Sequence, residues 1–224
     1  MPNFTIEKNT REGGQGVAGM DEVGRGPWAG PVVAAAFMFL EPPPRRLAAR
    51  IDDSKALPSP LRRTAAAKLE AFCNKGGAVF AIGVASVEEI DRFNILQATF
   101  LAMQRALKLL SQPAEAVLVD GNKAPLGLPC PAIPVIGGDG LSLSIAAASI
   151  MAKVYRDALM ADLALIHTGY GWETNVGYGT REHQEALLRL GVTPHHRQSF
   201  APIRNLLKFK TLDETIPMIH SLLD

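Results

Sequence analysis

Short apolar runs alternate with segments of helical periodicity along this chain, and the alternation predicts an α/β domain. The predicted strands cover residues 16–20, 32–40, 78–85 and 116–119. The predicted helices cover residues 60–75, 94–110, 142–166 and 181–190, and an amphipathic helical segment follows over 201–224. The stretch GRGPWAG joins the first two strands and is short enough for an antiparallel hairpin.

Polar residues at the ends of these segments predict where helices begin. Ser59 is the expected N-cap of the helix over 60–75. Ser86, with Glu89 three residues later, predicts a capping box for a short helix that precedes the helix over 94–110. Two Pro-rich stretches are expected to be connections, at residues 41–46 and 123–134.

Composition narrows the class of protein. The 224 residues suit one domain, and 47% hydrophobic with 20% charged residues is ordinary globular usage. The longest apolar run spans nine residues, 32–40, whereas a membrane helix needs about 20. Residues 1–14 lack the apolar core of a secretory signal. We therefore expect no membrane partner and a cytoplasmic location, with Cys73 and Cys130 as reduced thiols.

Charge is unevenly distributed along the chain. The formal net charge of +1 argues weakly against a polyanionic partner. Two segments, 41–75 and 180–210, nevertheless carry +4 each, and an acidic C-terminal stretch offsets them. Solvated helix faces explain such segments, and so does a surface that faces nucleic acid.

Acidic residues interrupt apolar sequence at two strand ends. Asp21 and Glu22 follow GVAGM, and Asp120 follows AVLV. Taken singly, each acidic residue is explained as a strand-end side chain that reaches water. Taken together, they are also explained by a shared site. Asp139, in GGDG, lies just before a predicted helix, where it would cap that helix or join the site. Oxygen ligands without nearby His or Cys suit Mg²⁺ or Mn²⁺. Adjacent strand residues point to opposite faces, so Asp21 and Glu22 require a twist or bulge, or approach from different sides.

Two further patterns point elsewhere. Residues 24–30, GRGPWAG, resemble a dinucleotide-binding fingerprint, but a predicted strand follows where that fingerprint requires a helix. Small residues there suit close approach of the backbone to a sugar or phosphate. His195 and His196 follow Pro194 and are expected to form a solvated or phosphate-facing loop pair rather than a metal site.

A colinear set of motifs resembles bacterial ribonuclease HII, the type 2 ribonuclease H family. The motifs are GMDEVGRGPWAGPVVAAA, DDSKAL, EIDRFNILQATFLAMQRAL, VLVDGN, GGD with SIAAASIMAKVYRD, GYGTREH and PHHRQSF, over about residues 16–200. The resemblance implies a ribonuclease H-like α/β fold, with a central mixed β-sheet flanked by helices. It implies an endonuclease that cuts the RNA strand of RNA–DNA hybrids and incises at single ribonucleotides embedded in duplex DNA. Its products would be a 5′-phosphate and a 3′-hydroxyl.

The resemblance also assigns residues. The family's four acidic ligands, which hold two divalent cations, Mn²⁺ or Mg²⁺, correspond to Asp21, Glu22, Asp120 and Asp139. Its substrate-binding positions correspond to Gly24, Arg25 and Gly26 of the glycine turn, Lys55 of DDSKAL and the ribose-sensing Tyr178. Asp157 in YRD is expected to pair with Arg156 or another basic group. Ala56 and Val176 stand where many members carry a basic residue.

The resemblance leaves the organisation of the whole chain as expectations. We expect a catalytic domain over residues 1–200, a helical C-terminal segment over 201–224, and a monomer that acts on hybrid or ribonucleotide-containing duplex. A non-catalytic duplex-binding module with this fold is the main alternative, and loss of a ligand carboxylate would indicate it. None of the four is lost. A dinucleotide-dependent enzyme that uses the glycine turn is the third hypothesis.

Overall fold

The computed structural model describes residues 2–11, 16–51 and 57–208. Its five strands are Gly16–Val23 (β1), Val32–Phe39 (β2), Ala78–Ala85 (β3), Ala114–Asp120 (β4) and Ala132–Val135 (β5). Its helices are Thr5–Thr10 (α1), Arg45–Ala48 (α2), Ser59–Cys73 (α3), Val87–Lys108 (α4), Leu143–Ile166 (α5), Trp172–Asn175 (α6) and Arg181–Leu190 (α7). A 3₁₀ turn covers Gly138–Gly140, and residues 201–208 are helical.

The strands form one mixed sheet in the order β3-β2-β1-β4-β5. The pairs β1–β2 and β2–β3 are antiparallel, which confirms the predicted hairpin, whereas β1–β4 and β4–β5 are parallel. Because β1 and β4 run side by side in the same direction, their carboxyl ends meet at one edge of the sheet. That edge is where the strand-end carboxylates lie.

Helices cover both faces of the sheet, which explains the unbroken apolar sequence of β2. Val33, Ala35 and Phe37 pack with residues of α3 and α5, and the alternate residues Ala34 and Ala36 pack with α4. All of β2 is buried. The mixed sheet flanked by helices confirms the predicted fold class. Among the described residues, no helix is long and apolar enough to cross a membrane.

Helix α4 combines the two helices that the sequence predicts. The capping box of Ser86 and Glu89 is present, with hydrogen bonds of 2.9 and 3.3 Å. Asn94 breaks the helix with a φ of 67°, and its Oδ1 accepts hydrogen bonds from two backbone N–H groups of the following turn. In α3, by contrast, Ser59 is the first helical residue and Pro58 is the N-cap, so the predicted cap is one residue off.

One predicted connection differs from the structure. Residues 132–134 belong to β5 rather than to a connection, so that part of the prediction is wrong. The strand is short and lies at the edge of the sheet, where proline is tolerated. At the other end, Ile203 is fully buried in a cluster with Trp172 and Leu187. The division of the chain at residue 200 stays a prediction.

Candidate metal centre

Three carboxylates converge at the carboxyl ends of β1 and β4. The parallel register pairs Met20 with Val119, so the next residues, Asp21 and Asp120, stand on adjacent strand ends. Asp139 reaches them from the 3₁₀ turn that precedes α5. One carboxylate oxygen from each of the three lies within 4.8 Å of the others. The sequence prediction that Asp21, Asp120 and Asp139 share a site is consistent with this convergence.

Burial and neighbouring negative charges disfavour the ionised form of Asp21 in this cluster. Burial, followed by the charge of Glu22, raises the pKa of Asp21 from 3.8 to about 8. Asp120 adds to that rise, and hydrogen bonds from the Ser149 hydroxyl and the Glu22 N–H (2.7 Å) oppose it. A divalent cation offsets the mutual repulsion of such carboxylates. An all-oxygen donor set of this kind fits a hard divalent cation.

A residue other than Asp139 caps α5. The N-cap is Ser142, whose hydroxyl accepts a hydrogen bond from the Ile145 N–H at 3.2 Å. Gly137 adopts a left-handed conformation with a φ of 65° and starts the 3₁₀ turn. Asp120 Oδ1 accepts a hydrogen bond from the Gly138 N–H at 2.7 Å, which ties this turn to the end of β4. The alternative role of Asp139 as the helix cap is therefore excluded.

Glu22 approaches from the other face of the sheet. The β1–β2 register continues without a break through Asp21 and Glu22, so their side chains point to opposite sides. Glu22 is not in the three-carboxylate cluster. Instead it pairs with Arg25 at 3.1 Å and lines a cleft of about 320 Å³ together with Asp120. Burial raises the pKa of Glu22, whereas its hydrogen bond with Arg25 lowers it. Asp120 thus belongs to the cluster and also borders the cleft that Glu22 lines.

The glycine turn after β1 lies against two buried arginines. Gly24 has a φ of +92°, and a Cβ there would collide with the guanidinium of Arg156. Arg197 donates to the carbonyls of Gly24 (2.5 Å), Arg25 (3.0 Å) and Gly30 (2.9 Å). Only glycine satisfies both the backbone conformation and the close approach at position 24. A strand follows the turn, so it lacks the helix that a dinucleotide fingerprint requires.

Tyr178 stands over this turn. Its side chain is 48% exposed, and a Cβ on Gly26 would lie 3.3 Å from Cε1 of the ring. The backbone between the two is joined as well, because the Trp28 N–H donates to the Gly177 carbonyl at 2.8 Å. An exposed aromatic ring is therefore held beside bare backbone at the edge of the site.

Comparison with known proteins identifies the family. The family model described as Ribonuclease HII matches residues 18–203. The chain belongs to the ribonuclease HII family. It is 58% identical over 211 residues to the Ribonuclease HII of Rhodospirillum rubrum, covering 92% of each chain. It is 56% identical to that of Paramagnetospirillum magneticum, covering 93% of this chain and all of the relative. The crystal structure of ribonuclease H2 from Pyrococcus horikoshii matches with a TM-score of 0.70 and 26% identity, over 85% of this chain and 96% of that one.

Membership in the ribonuclease HII family confirms the predicted resemblance, fold and activity class: the protein is a metal-dependent ribonuclease H. The residues that the sequence assigned to the site are not all described. Lys55, like the rest of the DSK segment, lies outside the described residues. Asp157 forms ion pairs with Arg62 at 3.2 Å and with Lys153, so basic groups other than Arg156 are its ion-pair partners, as one of the two predicted alternatives had it.

Two buried arginines support the site and were not predicted from the sequence. Arg156 on α5 is buried and donates to the carbonyls of Pro31 (3.0 Å), Ala29 (3.1 Å) and Val176 (3.0 Å). Burial lowers the pKa of Arg156 to about 10 and that of Arg197 to about 9, so both remain charged at neutral pH. All but one of these contacts span more than a hundred residues, and the only local signal is a basic residue in each of the motifs YRD and HHR.

The prediction for the histidine pair is wrong for one member. His196 is fully buried, next to the equally buried His183 and Trp172. Only His195 is partly exposed. The loop after Pro194 folds inward because the ring of His196 fills a cavity between aromatic side chains, including Tyr170 at 5.1 Å between ring centroids.

Proposed function

We propose that this protein is an endonuclease that hydrolyses the RNA strand of RNA–DNA hybrids and incises at single ribonucleotides in duplex DNA. The observation that carries the proposal is the convergence of Asp21, Asp120 and Asp139 beside a glycine turn and an exposed tyrosine. Products with a 5′-phosphate and a 3′-hydroxyl are expected from hydrolysis without a covalent enzyme intermediate.

The metal ligands proposed are Asp21, Asp120 and Asp139, with Glu22 as a fourth ligand from the cleft that it shares with Asp120. Mg²⁺ or Mn²⁺ suits these oxygens, and a relative of the same fold, Bst-RNase HIII, has been solved in complex with Mn²⁺. Such cations activate water and stabilise the charge on the scissile phosphate. The protein's own contribution is to hold the carboxylates rigidly: the Gly138 N–H fixes Asp120, and Ser149 with the Glu22 N–H fixes Asp21.

Ribose recognition is proposed for the glycine turn and Tyr178. The 2′-hydroxyl is the group that distinguishes RNA from DNA at a given position, and it both donates and accepts hydrogen bonds. Within the turn of Gly24, Arg25 and Gly26, the first residue is buried and shapes the turn, whereas Arg25 and Gly26 are exposed and their backbone groups are accessible to a sugar. The ring of Tyr178 lies over that turn and offers an apolar surface to the same sugar.

Several finer expectations accompany the proposal. Lys55 is proposed to contact substrate phosphates, because its motif corresponds to that position in the family. The basic segments over 41–75 and 180–210 are proposed to face the duplex. We also propose a monomeric enzyme that works in the cytoplasm, with residues 201–224 as a helical segment packed on or appended to the domain. Size-exclusion chromatography with light scattering tests the oligomeric state.

The decisive experiment uses a labelled duplex with one embedded ribonucleotide, incubated with and without Mn²⁺ or Mg²⁺, and maps the cut. Cleavage at the ribonucleotide that requires the metal is expected. Asp21→Asn and Asp120→Asn should each abolish cleavage while duplex binding persists, and Glu185→Gln on the exposed face of α7 serves as a matched control. Full activity in either aspartate variant would refute the proposed site. Binding without any cleavage by the wild type would favour the non-catalytic module instead.

A further inference from the structure

Behind the loop that carries Tyr178 lies a buried, hydrogen-bonded histidine pair. His183, on α7, and His196, in the loop that follows α7, are both fully buried. Their Nε2 atoms are 3.0 Å apart. Trp172 closes the cluster, and its indole Nε1–H points at His183 Nε2 from 3.2 Å. A pair of polar rings in such a place requires a defined arrangement of protons.

The contacts determine that arrangement. The backbone N–H of Thr193 lies 2.9 Å from His196 Nδ1 and can only donate, so Nδ1 is an acceptor and the His196 proton resides on Nε2. The indole N–H of Trp172 likewise only donates, so His183 Nε2 is an acceptor. His196 Nε2–H therefore donates to His183 Nε2, and the proton of His183 resides on Nδ1.

The far end of this chain is the Tyr178 backbone. His183 Nδ1–H donates to the Tyr178 carbonyl at 2.9 Å, and the Thr180 N–H donates to the same oxygen at 2.8 Å. The rest of the loop is fixed by neighbouring groups: the Gly177 carbonyl accepts from Trp28, and the Gly179 carbonyl accepts from Gln184 at 2.8 Å. The contact from His183 thus sets the peptide plane at the residue whose ring covers the glycine turn.

We propose that His183 is a positioning residue for Tyr178, and that His196 serves it by fixing the proton of His183 on Nδ1. This inference rests on the proposed role of Tyr178 in reading the ribose. It adds a directional hydrogen-bond chain, Thr193 to His196 to His183 to Tyr178, which ends at the residue that contacts the sugar.

Both imidazole rings are uncharged, as this chain of hydrogen bonds requires. A proton on both nitrogens of His183 would remove the acceptor that Trp172 and His196 share. Burial lowers the pKa of His183, and burial together with the neighbouring His183 lowers the pKa of His196 to about 3. The arrangement of donors and acceptors and the protonation states agree.

Two amide substitutions distinguish the hydrogen bond at Nδ1 of His183 from the hydrogen bonds at its Nε2. His183→Asn places an amide near the position of Nδ1, so it keeps a donor for the Tyr178 carbonyl and loses the acceptor for Trp172 and His196. His183→Gln places its amide near the position of Nε2, so it keeps that acceptor and loses the donor. Because buried donors without a partner are costly, His183→Asn should be the less stable variant.

For activity, the positioning role predicts the opposite order, with His183→Gln the more impaired variant. With the single-ribonucleotide duplex and saturating Mn²⁺, kcat/KM should fall about 10-fold to 100-fold in His183→Gln, because a misplaced contact group has effects of that size. In His183→Asn, kcat/KM should stay within about 3-fold of the wild type, measured below its melting temperature. A purely structural role predicts that activity follows stability, with His183→Asn the more impaired; that result would overturn the inference.

A double-mutant cycle with Tyr178→Ala gives a second, independent readout. If His183 acts through the tyrosine ring, adding His183→Gln to Tyr178→Ala should change kcat/KM by less than about 2-fold. Additive losses would overturn the inference and leave the proposed function standing. Tyr178→Ala with undiminished cutting would remove the ribose-reading role and the inference with it, while the metal site would be unaffected. Long-range ¹H–¹⁵N correlation spectra of the wild-type histidines should show the proton of His183 on Nδ1 and that of His196 on Nε2; the opposite tautomers would also refute the chain.

Discussion

Replacing Asp21 by asparagine is expected to stabilise the metal-free protein while it abolishes cleavage. Burial, and then the charge of Glu22, raises the pKa of the Asp21 carboxyl from 3.8 to about 8 in the folded protein. The unfolded chain loses this proton near the ordinary value, so the folded state binds more protons between the two pKa values. Raising the pH through that window therefore destabilises the metal-free wild type, and asparagine removes this contribution.

The magnitude follows from proton linkage. One carboxyl whose pKa differs between the states changes the free energy of unfolding by about 1.4 kcal/mol per pH unit inside the window. Between about pH 6 and about pH 8 the wild type should lose about 2 kcal/mol that Asp21→Asn retains, because titration is half complete at the upper value. For a chain of this size, that difference corresponds to roughly 4 to 8 °C in Tm.

The assay is urea unfolding of both proteins in chelator-treated buffers at these two pH values. Glu22 titrates in both proteins and so largely cancels from the difference. Glu185→Gln, which alters an exposed ion pair on α7, is the control and should change stability by less than about 0.5 kcal/mol at either pH. Added Mn²⁺ should stabilise the wild type more than Asp21→Asn. A stability gap that stays constant between the two pH values would refute the buried, proton-holding carboxyl.

Three further outcomes are expected. Gly24→Ala should destabilise the protein by roughly 1–3 kcal/mol, measured by thermal unfolding, because of its positive φ and the collision with Arg156. Arg197→Met should cost roughly 3 kcal/mol or more, and it should weaken binding of a single-ribonucleotide duplex more than Arg204→Met does, because it leaves carbonyls of the glycine turn without their donor. Duplex binding should weaken linearly in log Kd against log salt, and a slope near zero would show that the two basic segments do not face the phosphates.

The candidate metal centre could largely be predicted from the sequence because its main features are local. Each of Asp21 and Asp120 directly follows an apolar strand run, and a shared edge results once the two strands lie parallel and adjacent. Asp139 is likewise marked by a local feature, its position in GGDG just before a long helix. The side on which Glu22 lies required the register of β1, because a bulge and a regular strand give opposite answers.

The residues that support the site could not be predicted from the sequence, because their contacts are with residues distant in the chain or on another element. Arg197 contacts carbonyls more than 160 residues away in the chain, and no periodicity marks such a pairing. His196 reads as polar and loop-bound, yet it is buried because another element supplies its partner, His183. The edge strand β5 was hidden by proline within a stretch that is otherwise typical of a connection.

Helix α5 connects the carboxylate cluster with the glycine turn and the tyrosine loop, and so it links the groups proposed for hydrolysis with those proposed for recognition. Ser149 on this helix hydrogen-bonds to Asp21 of the carboxylate cluster, and Arg156 on the same helix holds the backbone at Ala29 and Val176, on either side of the turn and the tyrosine loop. Seven residues of a helix span roughly 10 Å. Because one helix bears both contacts, movement of the proposed metal ligands relative to the proposed ribose-reading groups would break hydrogen bonds of Ser149 or Arg156. The cut should therefore fall at one fixed position relative to the ribonucleotide, whatever the flanking sequence.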